Sequence, residues 1–417
     1  MIPYDNFSFF LWLLIPVIPA MILGLAQASP KLRSLWIMHS SIGMLYFILS
    51  PLTFLVQAVV YFIWEYIIIW SYLRYRQAET KKNQVYIFYL AVVGGLLPLL
   101  LVKFIPLFGL SHFGKALLGN PIAKVLASPK HGQQGQMTPI ENSVLGFLGI
   151  SYVTFRIVGT IIEIRDGLIK EVNLGDFISF VLFFPTLASG PIDRYRRFLA
   201  DLRKILTRQE YIAYMVEGLE YVFRGFLYKF IIAYLINQYA LIPLSHAHGL
   251  WPTIQYMYAY SAYLFFDFAG YSVFAIGVSR FYGIKTPENF NAPFWAKNIK
   301  DFWNRWHISL SMWFRDYTYM RFALDSAKKR RFRNRYAASA VGYLLLFFLM
   351  GIWHGTQWQY IIYGFYMALL MIGFEFLERL NKKKQFWGEG KAWDMLARFI
   401  TLQLTCFGLL IFSGHLL

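Results

Sequence analysis

The sequence predicts an all-α polytopic membrane protein, and three observations carry that prediction. First, 58% of the residues are hydrophobic and only 15% are charged, where a soluble domain carries about 25% charged residues. Second, the apolar residues come in runs of spanning length, and a bilayer crossing needs roughly 20 of them. Third, the basic residues sit in short clusters between those runs. They are Lys31/Arg33, Arg74/Arg76/Lys81/Lys82, Arg194/Arg196/Arg197/Arg203/Lys204, Lys328–Arg335 and Arg379/Lys382–Lys384. The formal net charge of +18 would otherwise point to nucleic acid. Short basic loops instead match the positive-inside rule for cytoplasmic faces, and they attract anionic headgroups or an acidic cytosolic partner. The single cysteine, Cys406, lies in the last apolar segment, so a disulfide framework or cysteine metal site is excluded.

Taken in order, Phe7–Ala28 is the first span. Ala26-Gln27-Ala28 resembles a signal-peptidase site, but a secretory signal wants a basic n-region and only Asp5 precedes the run. The first positive charges follow it, which predicts a retained span with its N-terminus outside. Leu35–Tyr72 contains one acid, Glu65, and is long enough for two spans with a turn at Ser50-Pro51. Further apolar segments run over Val85–Leu110, Val144–Ile164, Phe177–Pro191, Tyr211–Ile236, Ile254–Tyr282, Ala337–Trp353, Gln359–Leu377 and Leu396–Ser413. They predict about nine to twelve crossings, with some short pieces re-entrant or lying flat. No internal repeat is visible, which disfavours inverted-repeat transporters. Gly114–Glu141 is the least apolar stretch, with residues 131–136 a loop tip. Arg194–Arg208 alternates bases with Phe198, Leu199, Leu202 and Ile205; this suits an interfacial amphipathic helix, and a solvated loop is the alternative. The whole chain, 1–417, reads as one membrane domain.

Phe290–Tyr319 is too polar for a lipid-facing span and too aromatic for an ordinary loop. On a continuous helix, Asp301, Asn304, His307, Ser311, Arg315 and Thr318 would share one face. Trp303, Trp306, Leu310, Trp313, Phe314 and Tyr317 would cover the rest. Such a stripe fits a polar cavity inside the protein; an interfacial helix with headgroup-level tryptophans is the other reading. Trp353-His354-Gly355 ends an uncharged run. A neutral imidazole accepts a proton near physiological pH and is the usual general base. A lone histidine near a span end is also often interfacial; two Trp-flanked histidines on neighbouring segments point to chemistry. No Gly-x-Ser-x-Gly elbow occurs. His246 and His248 are a pair in a short loop without a third ligand at metal-site spacing.

Phe266–Ser272 (FDFAGYS), Pro287–Asn291 (PENFN), Asp301–Ser311 (DFWNRWHISLS) and Trp353-His354-Gly355, with Phe184-Pro185-Thr186 and Gly190-Pro191 upstream, resemble the membrane-bound O-acyltransferase family. The resemblance covers about residues 180–360. It implies a ring of helices around a thin partition pierced by a tunnel. It also implies His354 as catalytic base and His307 as its catalytic partner. Asn304, Trp303, Arg305, Trp306, Ser311, Trp353 and Asp267 would support the site along the tunnel, and no metal is implied. Two branches share the Trp-x-Arg-Trp-His run. Asn304 and Tyr319-Met320-Arg321 resemble the branch that modifies teichoic acids with D-alanine; Val273 after Ser272 departs from the branch that O-acetylates exported polysaccharide. The implied donor is the phosphopantetheine thioester of a small acidic D-alanyl carrier protein in the cytosol. The implied acceptor is a hydroxyl of lipoteichoic acid or of a relay protein, with other D-alanylation proteins as partners. No cofactor is expected to stay bound. Phe322, Ala323 and Leu324, followed by Lys328 and Arg331, are the candidate docking patch for the carrier; a purely topogenic basic cluster is the alternative. A transporter would share the architecture without a reason for the Trp-His pair.

Overall fold

The computed structural model describes residues 3–48, 52–78, 83–104, 149–385 and 387–416; the predicted Gly114–Glu141 stretch and its loop tip lie outside them. The described residues form helices and turns, with no strand among them. Eight of these helices are long and apolar enough to cross a membrane, so the chain is a multi-pass membrane protein. Helices satisfy their own backbone groups, which is what lipid demands.

The chain forms two compact units, Met1–Phe226 with Gly270–Pro287 and Leu227–Ala269 with Glu288–Leu417. The first contains α1 (Phe7–Leu25), α2 (Pro30–Ile48), α3 (Leu52–Gln77), α4 (Val85–Phe104), α5 (Ile150–Arg165), α6 (Leu174–Val181) and α7 (Tyr195–Arg203). The long helix α8 (Arg208–Ser245) starts in the first unit and ends in the second. Helix α9 (Leu250–Phe281) does the reverse.

In the first unit, Asn6 caps α1 by accepting from the Phe9 amide at 2.9 Å. Pro16 and Pro19 interrupt the hydrogen-bond ladder of α1, and Trp36 of α2 donates its indole N–H to the Pro16 carbonyl at 2.9 Å. The predicted apolar segment Phe177–Pro191 is too short to cross. It resolves into the end of α6 and a 3₁₀ turn at Phe184–Thr186, pinned by Arg156, only 2% exposed. That guanidinium donates to the carbonyls of Phe180, Val181 and Thr186 and to the Thr186 hydroxyl at 2.5–3.1 Å. A buried charge is tolerable when most of its donors find acceptors, as both terminal nitrogens of Arg156 do. The Arg194–Arg208 pattern does give a helix, α7, with Tyr195, Phe198, Leu199 and Leu202 buried. Its apolar face is covered by α2 and α6 rather than by lipid, and Arg197 pairs with Asp193 and Asp201 on the polar side.

In the second unit, the segment after α9 leads through α10 (Ile299–Trp303), α11 (Ile308–Phe314), a π-wound turn at Arg315–Tyr319 and α12 (Met320–Lys328). Three spans follow: α13 (Arg335–His354), α14 (Trp358–Lys384) and α15 (Lys391–Ser413). Helices α13 and α14 pack backbone to backbone. A Cβ on Gly364 would sit 2.4 Å from the Phe347 carbonyl, and one on Gly351 would sit 2.6 Å from the Tyr360 carbonyl. Small residues at such contacts supply the dispersion energy that holds helices together in lipid. The hairpin therefore has one basic end, Arg335 and Lys382–Lys384, and one end that carries His354.

Candidate active site

Phe290–Tyr319 does not form the single helix that its periodicity predicts. Asn298 caps α10, accepting from the Asp301 amide at 2.8 Å, and the helix closes when the Trp306 amide donates to the Phe302 carbonyl at 2.8 Å. The chain then reverses at His307, whose φ of 43° and ψ of 53° are left-handed. That conformation costs a β-carbon-bearing residue about 1–2 kcal/mol. The offset comes from Asn289. Its carbonyl accepts the Ile308 amide at 2.9 Å, and its side-chain oxygen accepts the Ser309 hydroxyl at 2.6 Å and the Ser309 amide at 3.3 Å. A second backbone bond, Asn291 N–H to the Arg305 carbonyl at 3.0 Å, lays residues 289–291 along the turn. Helix propensity loses here to hydrogen bonds from a distant stretch of sequence.

The break redistributes the predicted polar stripe. Asp301 and Arg305 form an ion pair at 2.7 Å, and Arg315 pairs with its neighbour Asp316 at 2.8 Å. Asn304 is exposed, and Asn289 braces the turn. Ser311 donates to the Trp306 carbonyl at 3.1 Å. His307 itself is 3% exposed. Its ring meets Phe268 edge-on at 4.7 Å, and Phe290 fills the corner between Phe268 and Trp306 at 5.1 and 5.2 Å. His307 lies outside the candidate spans, and burial lowers its pKa to about 3 because an apolar site disfavours the cation. The imidazole is neutral at physiological pH.

The second histidine closes α13. Gly355 follows it, and a Cβ there would meet the Tyr360 ring at 2.6 Å, so glycine lets α14 fold back tightly over the helix end. His354 is half-buried. Trp353 lies 4.6 Å from it, Phe412 meets it edge-on at 4.9 Å, and Tyr360 is 6.1 Å away. Trp353 also approaches the His307 ring at 6.5 Å, and Trp303 packs on Phe347 of α13 at 5.1 Å. The structure thus brings His307, Trp303, Trp306, Trp353 and His354 into one cluster. Asp267 is turned to Lys229 at 2.6 Å; its neighbour Phe268 is the residue that reaches His307.

The predicted docking residues stand elsewhere. Phe322 packs near Phe332 at 6.1 Å and beside Gly342, about 18 Å from His354 by helix rise along α13. Leu324 is 64% exposed. Arg331 is tied to Asp325 at 2.6 Å, while Lys328 is exposed. Among the described residues, no group of three His, Cys, Asp or Glu could hold a metal ion. Asn289 and Phe268 lie inside the Pro287–Asn291 and Phe266–Ser272 motifs without a pattern of their own that marks them, and nothing in the sequence marks Tyr360 or Phe412.

Comparison with known proteins identifies the family. The chain is 47% identical to a teichoic acid D-alanyltransferase of Bacillus subtilis, covering 99% of this chain and 98% of the relative. It is 40% identical to one of Lacticaseibacillus rhamnosus, covering 99% and 97%. A "probable alginate O-acetylase" of Azotobacter vinelandii is 36% identical, but over 52% of this chain and 42% of the relative. The family model described as MBOAT, membrane-bound O-acyltransferase family, matches residues 47–392, and the chain belongs to that family.

Proposed function

We propose that the chain transfers D-alanine from a carrier-bound phosphopantetheine thioester to a hydroxyl acceptor, for D-alanylation of teichoic acid in a bacterial plasma membrane. The observation that carries the chemistry is the pairing of two differently placed imidazoles around Trp353. The acyl group is read from the near-full-length likeness to teichoic acid D-alanyltransferases, against a likeness to the O-acetylating protein that covers half the chain.

His354 is the general base. The acceptor oxygen attacks the thioester carbonyl carbon as His354 takes the hydroxyl proton; the C–S bond then breaks and the imidazolium returns that proton to the departing thiolate. Ester and thiol leave, and the base is regenerated. A positioned base contributes about 10²–10⁴ in rate. His307 suits the complementary task. Burial that holds its pKa near 3 makes it a poor base and a good neutral donor, able to hydrogen-bond the carbonyl oxygen as charge develops. One such donor contributes about 3–4 kcal/mol.

Basic residues at the Arg335 and Lys382–Lys384 end of the hairpin orient that end to the cytosol by the positive-inside rule, with the N-terminus of the chain outside. Exposed Leu324 beside Lys328 offers an apolar and basic patch to an acidic carrier. The basic residues would act mainly on encounter rate. The test is the D-alanine ester content of the envelope in cells carrying His354→Ala, with membrane insertion checked. Loss of esters with normal insertion is the expected result. Unchanged esters, or an acetyl group on the product, would overturn the proposal.

A further inference from the structure

We propose that the rings of Tyr360, Phe412 and Trp353 around His354 form a subsite for the α-ammonium of the transferred aminoacyl group, and so select D-alanyl over a plain acyl group. The inference rests on the D-alanyl transfer reading. An alanyl thioester carries its ammonium two bonds from the carbonyl carbon that the acceptor attacks. Any base that serves that attack therefore has a cation beside it, in a half-buried site. A cation there must be compensated.

Carboxylates are the obvious counter-charge, and three of them in the surrounding described segments are already engaged. Asp267 faces Lys229, Asp301 faces Arg305 and Asp316 faces Arg315, each within 2.8 Å. Aromatic faces can take the place of a carboxylate, because they attract a cation through the ring quadrupole. A cation within about 6 Å of a ring centroid benefits. Three centroids lie 4.6, 4.9 and 6.1 Å from the His354 ring.

The arrangement is built rather than incidental. Phe412 is held by Tyr360 at 4.9 Å and by the buried Tyr363 at 5.2 Å, and Gly355 leaves the room that Tyr360 occupies. Tyr360, Phe412 and Trp353 are half-buried rather than sealed in the core. An acetyl or propionyl group would pack on these rings but lack the cation–π attraction.

The test compares transfer of D-alanyl and of propionyl from the loaded carrier, in membrane vesicles with the complete machinery and lipoteichoic acid, reading each ester by mass. The wild type is expected to prefer D-alanyl. Phe412→Leu and Tyr360→Leu should each lower that preference by about tenfold. Replacing Phe412 with a polyfluorinated phenylalanine, which keeps shape but removes the negative face, should do the same, and Tyr360→Phe should retain the preference. Equal loss of both acyl groups in the leucine variants, with an unchanged preference in the fluorinated protein, would overturn the subsite and leave the rings as packing for His354. Transfer of neither group by the wild type would overturn the D-alanyl reading itself, and the subsite with it.

Discussion

The two histidine segments solve opposite problems. Around His307 the chain is over-determined: a left-handed turn, clamped by Asn289, carries a ring that is almost fully enclosed. Around His354 the backbone is an ordinary helix end, and the ring is half-buried among aromatics that stay accessible. A group that must hold a fixed geometry can be sealed in. One that must exchange protons with substrates has to stay reachable and keep a usable pKa. The contrast supports the proposed division, with orientation at the first site and proton transfer at the second.

The largest expected effect tests the second site directly. His354→Ala should lower the transfer rate by at least about 100-fold while leaving carrier binding and thermal stability near wild type, measured on protein in detergent. A parallel loss of stability would place His354 among the structural residues. Next in size, Asn289→Ala keeps the backbone carbonyl that Ile308 uses but strands the Ser309 amide and hydroxyl; it should cost about 1–3 kcal/mol of stability, read as a lowered Tm, and should slow transfer along with it. If the same substitution left the rate unchanged, the rigidity of the His307 turn would be irrelevant to catalysis.

Acidification separates the sites further. An imidazole held near 3 in the folded protein, and near 6.5 when unfolded, binds a proton more readily in the unfolded chain between those values. Its contribution to stability is present above about pH 6.5 and is lost as pH falls toward 3. His307→Gln should therefore reduce the drop in Tm between pH 7.5 and pH 5, and an identical drop in both proteins would contradict the burial of the ring. The smallest effect belongs to the rim. Arg305→Lys weakens a half-exposed pair with Asp301 worth roughly 0–1 kcal/mol, and activity should fall less than twofold.

Much of the fold was legible because lipid imposes a simple code. Spanning runs such as Phe7–Leu25 and Arg335–His354 follow from composition and length, and charge clusters mark their ends. The segment around His307 was legible as a place but not as a shape. Its periodicity is that of a helix; the bonds that break it come from Asn289 and Asn291, and no local pattern announces which of two competing partners a backbone amide takes. Phe412 shows the other limit. It lies far along the chain from His354, so only the return of α15 makes them neighbours. Arg156 is similar: a charge in an apolar helix gave no hint that it gathers the Phe184–Thr186 turn.

The way α8 and α9 are shared between the units bears on how the chain is made. The first unit is completed by residues 270–287, which supply the Phe281 carbonyl for the Tyr211 hydroxyl at 2.6 Å and the Tyr282 carbonyl for Arg33 at 3.2 Å. By the time a ribosome has delivered those partners, residues 227–269 of the other unit have already been synthesised. The amino-terminal helices must therefore wait in the bilayer with their buried donors provisionally satisfied. Truncation at the end of α8 would leave an unfinished unit rather than a stable half.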